Sequence, residues 1–472
     1  MSTVMPVSSR AALGGPLLAL AAVTCVEFLE NGVVLFGAGQ ITAGLALSAQ
    51  AFALLYMAYG AAAIVMLYQH RWMVERLGYR RFVLASLAVF GLGSLLCATS
   101  SGALGLTLGR TLQGMGGSTF FVAGRMLINE LPPQARFQGL LTFVCTLLGS
   151  TAVAPLLAAG LHALGGWRAL FGFGVVLAIG VAVVAPAHLP TERPPHDERS
   201  HEHWGWLLWV VVGVCGLQYV VQTLPLHALD DPLGWAAIGL VSVLMLTLFA
   251  WRQWGRERPL INYRGLLQPR YLTGLALYFV GYFWAGALGF LLPWMLTQEL
   301  GLPVMHTAWL TSLCLLCSVA MALGHIFLAR VWPCNRAYML GGLLLLALGS
   351  LLLSRVGGPQ VIGLPLLGGI VLCGLAIPLF VGPVAMNTFS ELAAPVFSHG
   401  YQVKNIVRQL GLSFSVALAT LLLQHLAHAG PQALWLLQAW TPAGTPAAQA
   451  FALLALLTLP VAAGVALQRV FR

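Results

Sequence analysis

Runs of about twenty apolar residues recur along the chain, from "GGPLLALAAVTCVEFLENGVVLFGAG" near its start to "AQAFALLALLTLPVAAGVAL" near its end. Each is long enough to cross the ~30 Å hydrocarbon core of a bilayer as a helix. Inside hydrocarbon, every backbone N–H and C=O must be satisfied within its own segment or in a closed barrel. The ten-residue alternating pattern of a barrel strand is missing, so an all-α polytopic membrane protein is expected. About fourteen spans are read, near residues 13–40, 49–69, 82–100, 103–127, 137–161, 167–189, 205–224, 234–252, 271–296, 305–328, 337–355, 359–387, 401–427 and 449–468. With 59% of residues hydrophobic and 8% charged, little chain remains for a soluble domain.

The basic residues give an independent check, because Lys and Arg collect in short loops on the cytoplasmic side of a membrane. On one side the connections carry Arg168 and Arg355, and one turn, "LHALDDPLG", holds Asp230 and Asp231. On the other side fall Arg71, Arg76, Arg80, Arg81, Arg136, Arg193, Arg199, Arg252, Arg256, Arg258, Arg264, Arg270, Arg330, Arg336, Lys404 and Arg408. Both termini are therefore expected in the cytoplasm of a multi-pass inner-membrane protein. The net charge of +10 follows from this topology and does not call for a nucleic-acid partner. The opening "SSRAALGGPLLALAAVTC" is read as the first span and not as a signal peptide, since apolar sequence continues past Cys25. The eight cysteines fall within or beside spans, unlike a secreted disulfide framework.

Two polar interruptions, "PTERPPHDERSHEH" (190–203) and "QWGRERPLINYRGLLQPR" (253–270), bracket two spans. The expected organisation is a six-helix bundle over 1–189, a linker and two-helix insert over 190–253, and a second six-helix bundle over 254–472. His196, His201 and His203 in the first interruption lack fixed metal-ligand spacing, so no metal is expected.

Glu27, Glu30 and Arg110 are read as standing well inside spans of the first bundle, whereas the span interiors of the second bundle are read as nearly free of ionisable residues. Glu27 and Glu30 lie three residues apart in the first span, on nearly one helix face, and Arg110 lies in the fourth. A central Arg costs roughly 2.5–3.5 kcal/mol on insertion scales, so Arg110 is expected to face a cavity or pair with one of those acids. Two neighbouring carboxyl groups in a low-dielectric medium do not readily both ionise, the property a proton-carrying site needs. An ion pair that simply locks two helices is the structural alternative.

Several motifs carry a family resemblance. "RWMVERLGYRRF" resembles the cytoplasmic signature of the major facilitator superfamily, with Glu75 at its Asp, Arg76 at its Arg, Gly78 at its second Gly, and Arg80 and Arg81 in its basic cluster. Arg71 replaces its first Gly, and Tyr79 interrupts the basic run. In "LGRTLQGMGG", Arg110, Gln113 and Gly114 match the family's Arg-x-x-Gln-Gly pattern. "GSTAVAPLLAAG" is similar to the antiporter motif, with Pro155 at its Pro and Ala154, Ala158 and Ala159 where glycines are usual. "LENGVVL" falls on a first-span motif of the fourteen-helix drug:proton antiporter branch, with Glu30 at its Asp.

The resemblance implies two six-helix bundles plus a two-helix insert, and a proton-coupled secondary transporter that exports lipophilic or cationic small molecules by alternating access. Glu30, Glu27 and Arg110 are the expected coupling residues. Gln113, Tyr56, Tyr59, Tyr278, Tyr282, Trp284 and Gln298 are expected to line the substrate cavity. Glu75, Arg76, Gly78, Arg80, Arg81 and Glu130 are expected to form a cytoplasmic gate, while Ala154, Pro155 and Ala158 pack the antiporter-motif helix. The proton is the coupling ion and no other cofactor is implied. A monomer is expected, with a periplasmic adaptor and an outer-membrane channel as the partners some relatives of this branch use. A dedicated exporter of one endogenous metabolite, or a non-transporting receptor or scaffold of the same fold, are the alternatives. A membrane-embedded transferase is disfavoured, since neither a cluster of His, Asp or Ser at one interface nor a sizeable loop is found.

Overall fold

The computed structural model describes residues 7–47, 49–191, 204–227, 231–357, 363–429, 441 and 444–471. His196, His201, His203, Arg193, Arg199 and Asp230 lie outside these residues. The described chain is helical without a strand. In order, the helices are α1 (Val7–Phe36), α2 (Ala38–Gly44), α3 (Ala49–Leu77), α4 (Tyr79–Thr99), α5 (Ala103–Gly117), α6 (Thr119–Glu130), α7 (Arg136–Val184) and α8 (Trp204–His227). Then come α9 (Pro232–Trp254), α10 (Tyr263–Leu266), α11 (Pro269–Trp294), α12 (Val304–Val331), α13 (Asn335–Ser354), α14 (Leu364–Asn387), α15 (Phe397–Ala429) and α16 (Pro446–Leu467). Ten helical segments among the described residues are long and apolar enough to cross a membrane, and α8 adds a shorter apolar stretch, Gly205–Val221.

Local breaks follow from residue chemistry. Gly165 and Gly166 leave helical geometry inside α7, with Gly166 at φ 66°, so this 49-residue helix turns back on itself and makes two passes. Gly78 sits at φ 78° between α3 and α4, a left-handed conformation that a side chain would strain, which explains the glycine of the charged motif. Pro293 removes a helical donor at the end of α11, and the chain runs on through one π turn, Met295–Glu299.

Lipid tails are as apolar as leucine, so helices here are held by close packing and not by exclusion from water. Small residues permit that packing. A side chain at Gly114 would strike the Tyr59 backbone of α3, one at Gly116 would strike α4 at Ser86 and Phe90, and one at Gly374 would strike the Cys314 carbonyl of α12. In the first half of the chain α1 packs on α6 and α7, α4 on α5 and α7, and α3 on α5. In the second half α11 packs on α14 and α15, α12 and α13 on α14, and α13 on α16. The halves meet where α3 lies against α15 and α7 against α12. Helix α8 lies against both α3 and α15, covering that seam, whereas α9 packs chiefly on α8 and buries only 11% of its apolar window, which leaves its surface for lipid.

Candidate functional site

Two ion pairs are buried in the middle of this assembly. Helix α1 carries Glu27 and Glu30 one turn apart, at 0% and 4% exposure. Arg110 of α5, 2% exposed, donates from Nη1 to Glu30 Oε1. The same Nη1 donates to Gln113 Oε1 at 2.9 Å, and the guanidinium lies 4.2 Å from the centroid of the Tyr59 ring. Gln113 in turn donates to Ser94 Oγ of α4 at 2.9 Å, so its amide holds Arg110 in place and faces α4. Asn31, beside Glu30, donates to the Tyr59 hydroxyl at 3.1 Å. Glu30 Oε2 has no hydrogen-bond partner among the described residues, leaving an oxygen able to take a proton while Oε1 stays bound to Arg110.

Glu27 pairs with a residue from the other half of the chain. Arg408 of α15, 1% exposed, donates from Nη2 to Glu27 Oε1, and Gln409 donates to the same oxygen at 3.2 Å. The Arg408 guanidinium stands 4.8 Å from the Phe121 ring centroid and 5.5 Å from that of Phe28. Arg110 therefore serves Glu30, and Glu27 has its own guanidinium. The topology count above placed Lys404 and Arg408 in a cytoplasmic connection and expected the second bundle's interior to be nearly free of charge. Both are corrected: these residues lie in the third and fourth turns of α15 and are buried at 5% and 1% exposure. Arg125 in the middle of α6, half-buried, is a further cation missed in sequence, and it donates to the Tyr401 hydroxyl of α15 at 2.7 Å.

The charged motif at the α3–α4 turn also reaches between halves. Arg71 Nε donates to Glu75 Oε1 at 2.7 Å, and its guanidinium reaches the His399 ring of α15. Arg76 stacks on Trp72 with its guanidinium 4.1 Å from the ring centroid and donates to the Trp72 carbonyl at 3.2 Å. Gln402 of α15 donates to the Leu67 and Tyr68 carbonyls of α3. Arg330 of α12 lies 4.5 Å from the Phe137 ring of α7. One end of the seam is thus closed by contacts between the halves. Arg80 and Arg81 are exposed, and Glu130 is exposed at the end of α6 and among the described residues adds no ion pair to this cluster.

The residues expected to line a cavity are spread out. Tyr56 and Arg110 border a narrow cleft with room for little more than a water molecule, with Val34, Ile41, Phe52 and Leu106. Tyr278 and Tyr282 pack with tilted rings, centroids 4.7 Å apart, on α11 near the α15 cations. Trp284 is 2% exposed and packs edge-on to Phe380 in the second half's core, and Gln298 is exposed in the π turn, so neither joins the others. Ala154, Pro155 and Ala158 are buried in α7. A side chain at Gly32 of α1 would collide with Ala154, the close approach that small residues in this motif allow.

A sequence profile described as Major Facilitator Superfamily matches residues 20–416. Among similar proteins, one of Serratia proteamaculans (strain 568), provisionally named multidrug resistance protein MdtD, is 27% identical over 390 residues, covering 79% of this chain and 77% of its own. A protein of the same name from Cronobacter sakazakii (strain ATCC BAA-894) is 28% identical over 421 residues, covering 85% and 84%. Among solved structures, an autoinhibited peptide transporter of the POT family aligns with TM-score 0.65 at 14% identity over 96% of each chain. The nucleoside transporter NupG aligns with TM-score 0.57 at 14% identity over 96% of this chain and 99% of its own. At such identities these structures support the fold alone.

Proposed function

We propose that this chain, which belongs to the major facilitator superfamily, is a secondary transporter that exports lipophilic small molecules in exchange for protons. Membership of a transporter family supports a role other than enzymatic catalysis, and the names of the MdtD relatives support drug-like cargo. The fourteen-helix antiporter branch is the family position this reading adopts, with the basic end of the bundle in the cytoplasm of the inner membrane.

The observation that carries proton coupling is the pair of buried carboxylates, each held by its own arginine, one within a half and one between halves. A guanidinium stays charged, so the carboxylate is the member of each pair that changes state. When Glu30 takes a proton, Arg110 keeps Gln113 and the face of Tyr59. When Glu27 takes one, the charge attraction between α1 and α15 is lost and the seam at the basic end loosens. A cycle follows in which protons enter from outside and open the cytoplasmic end. Their release inside re-forms the pair as cargo is enclosed. No nucleotide-binding motif offers another energy source. The test is gradient-dependent uptake of lipophilic fluorescent probes into everted vesicles. Uptake that collapses with a protonophore supports the reading, and uptake equal in the presence and absence of the gradient refutes it.

A further inference from the structure

The charge between the two halves is unbalanced in a way that proton coupling does not use. Lys404 of α15 is 5% exposed, yet no carboxylate pairs with it among the described residues. Its ammonium instead sits among rings, 4.3 Å from the Tyr278 centroid, 5.1 Å from Phe389 and 6.0 Å from Tyr401. Arg408, one turn on along the same face, is taken by Glu27. Arg125 contributes a second guanidinium from the other half of the chain, tied to the Tyr401 hydroxyl and lying 5.0 Å from its ring. Three cations therefore converge from α6 and α15 on one buried region, and Glu27 is the carboxylate that reaches them.

Aromatic rings stabilise a cation but do not neutralise it, so a buried ammonium and a half-buried guanidinium remain as attractors for negative charge. Beside them runs an apolar wall. Tyr278 packs against Tyr282 with tilted rings, while Phe279 and Phe283 of α11 face Phe414 of α15, and Tyr282 and the three phenylalanines are partly exposed. We infer that the junction of α6, α11 and α15 binds the acidic group of an amphipathic aromatic substrate. Lys404 and Arg125 take the anionic head, and the aromatic wall takes the body. The inference rests on the transporter reading and names its substrate class. It turns the expected preference for cationic cargo around, since a cation here meets surplus positive charge with both buried carboxylates already occupied. Because Arg408 stays with Glu27, an anion on Lys404 and Arg125 leaves the proton-carrying pair intact.

The test is equilibrium binding to the purified full chain in lipid nanodiscs without any gradient, so that it reports the site whether or not transport is proton-coupled. The probes are 2-naphthoate and, matched in size, 2-naphthylmethylammonium. Saturable binding of the naphthoate, at least ten-fold tighter than that of the cation, is expected. Lys404→Met should weaken naphthoate binding at least ten-fold, and Lys404→Arg should restore most of it. Arg125→Gln, which does not remove the buried ammonium, is a second variant and should weaken binding by several-fold. Absence of saturable naphthoate binding, equal or tighter binding of the ammonium probe, or a Lys404→Met protein that is folded by size-exclusion profile and binds naphthoate within two-fold of the parent would each overturn the proposal.

Discussion

Glu27→Gln isolates the contact on which movement between the halves depends. The substitution keeps the shape of the side chain and one acceptor oxygen but removes the charge opposite Arg408, which is 1% exposed and left beside Gln409 and the Phe121 ring. Removing one partner of a buried ion pair costs about 3–5 kcal/mol because the remaining charge stays desolvated. With an acceptor retained, the lower end, about 3 kcal/mol, applies. The cost falls on the closed seam, since opening lets the Arg408 guanidinium hydrate. At about 1.4 kcal/mol per factor of ten, the closed-to-open ratio at the basic end should drop on the order of a hundred-fold. Spin labels at Gln134→Cys and Gln268→Cys, exposed positions on the two halves, in a background with the native cysteines replaced by serine, would read the separation by pulsed dipolar spectroscopy. The Glu27→Gln distribution should move largely to longer distances. Glu27→Leu combined with Arg408→Met removes both charges and should return it to the parent's, since apolar replacement of a buried pair is commonly neutral or better. A Glu27→Gln distribution that superimposes on the parent's would refute the reasoning.

Three further outcomes are expected. Gly114→Val forces a branched side chain into the Tyr59 backbone and the Ala62 methyl, and should cost about 1–3 kcal/mol or more, seen as a lower thermal midpoint in detergent; an unchanged midpoint would mean that α3 and α5 do not pack as closely as described. Glu75→Gln removes the partner of Arg71, whose side chain is 32% exposed, so its effect on unfolding should stay within about 1 kcal/mol, measurable by the same melt. Arg110→Lys keeps the charge but moves the donor that serves both Glu30 and Gln113 and loses the planar guanidinium face on the Tyr59 ring, and should depress gradient-driven transport nearly as far as Arg110→Ala; full activity of the Lys variant would show that charge alone suffices.

The spans were legible because hydrocarbon permits so few backbone solutions that an apolar run and its length nearly specify a helix. Glu30 and Arg110 were legible for the same reason: ionisable residues in mid-span must find each other. Arg408 and Lys404 were not, because a cation in the first turns of a helix reads as a loop residue, and the partner of Arg408 lies 381 residues away. The available signal was their four-residue spacing behind "GYQV" at the start of a span, which places both on one face of a helix. Aromatic residues misled in the other direction. Trp284 and Tyr278 look alike in sequence, and which one packs into a core and which one meets a cation depends on neighbours from α14 and α15. Arg71, which stands where the family motif has a glycine, bridges to His399 instead of allowing close helix contact.

Proton coupling at the first helix is the central claim, and Glu30→Gln tests it most directly. In proteoliposomes, a coupled transporter with its proton carrier removed should lose gradient-driven accumulation of a bound aromatic probe yet still exchange that probe down its own concentration gradient. That separation of uphill transport from exchange is the expected result. If Glu30→Gln accumulates the probe against its gradient as the parent does, the Glu30–Arg110 pair is a structural lock and the coupling mechanism is wrong.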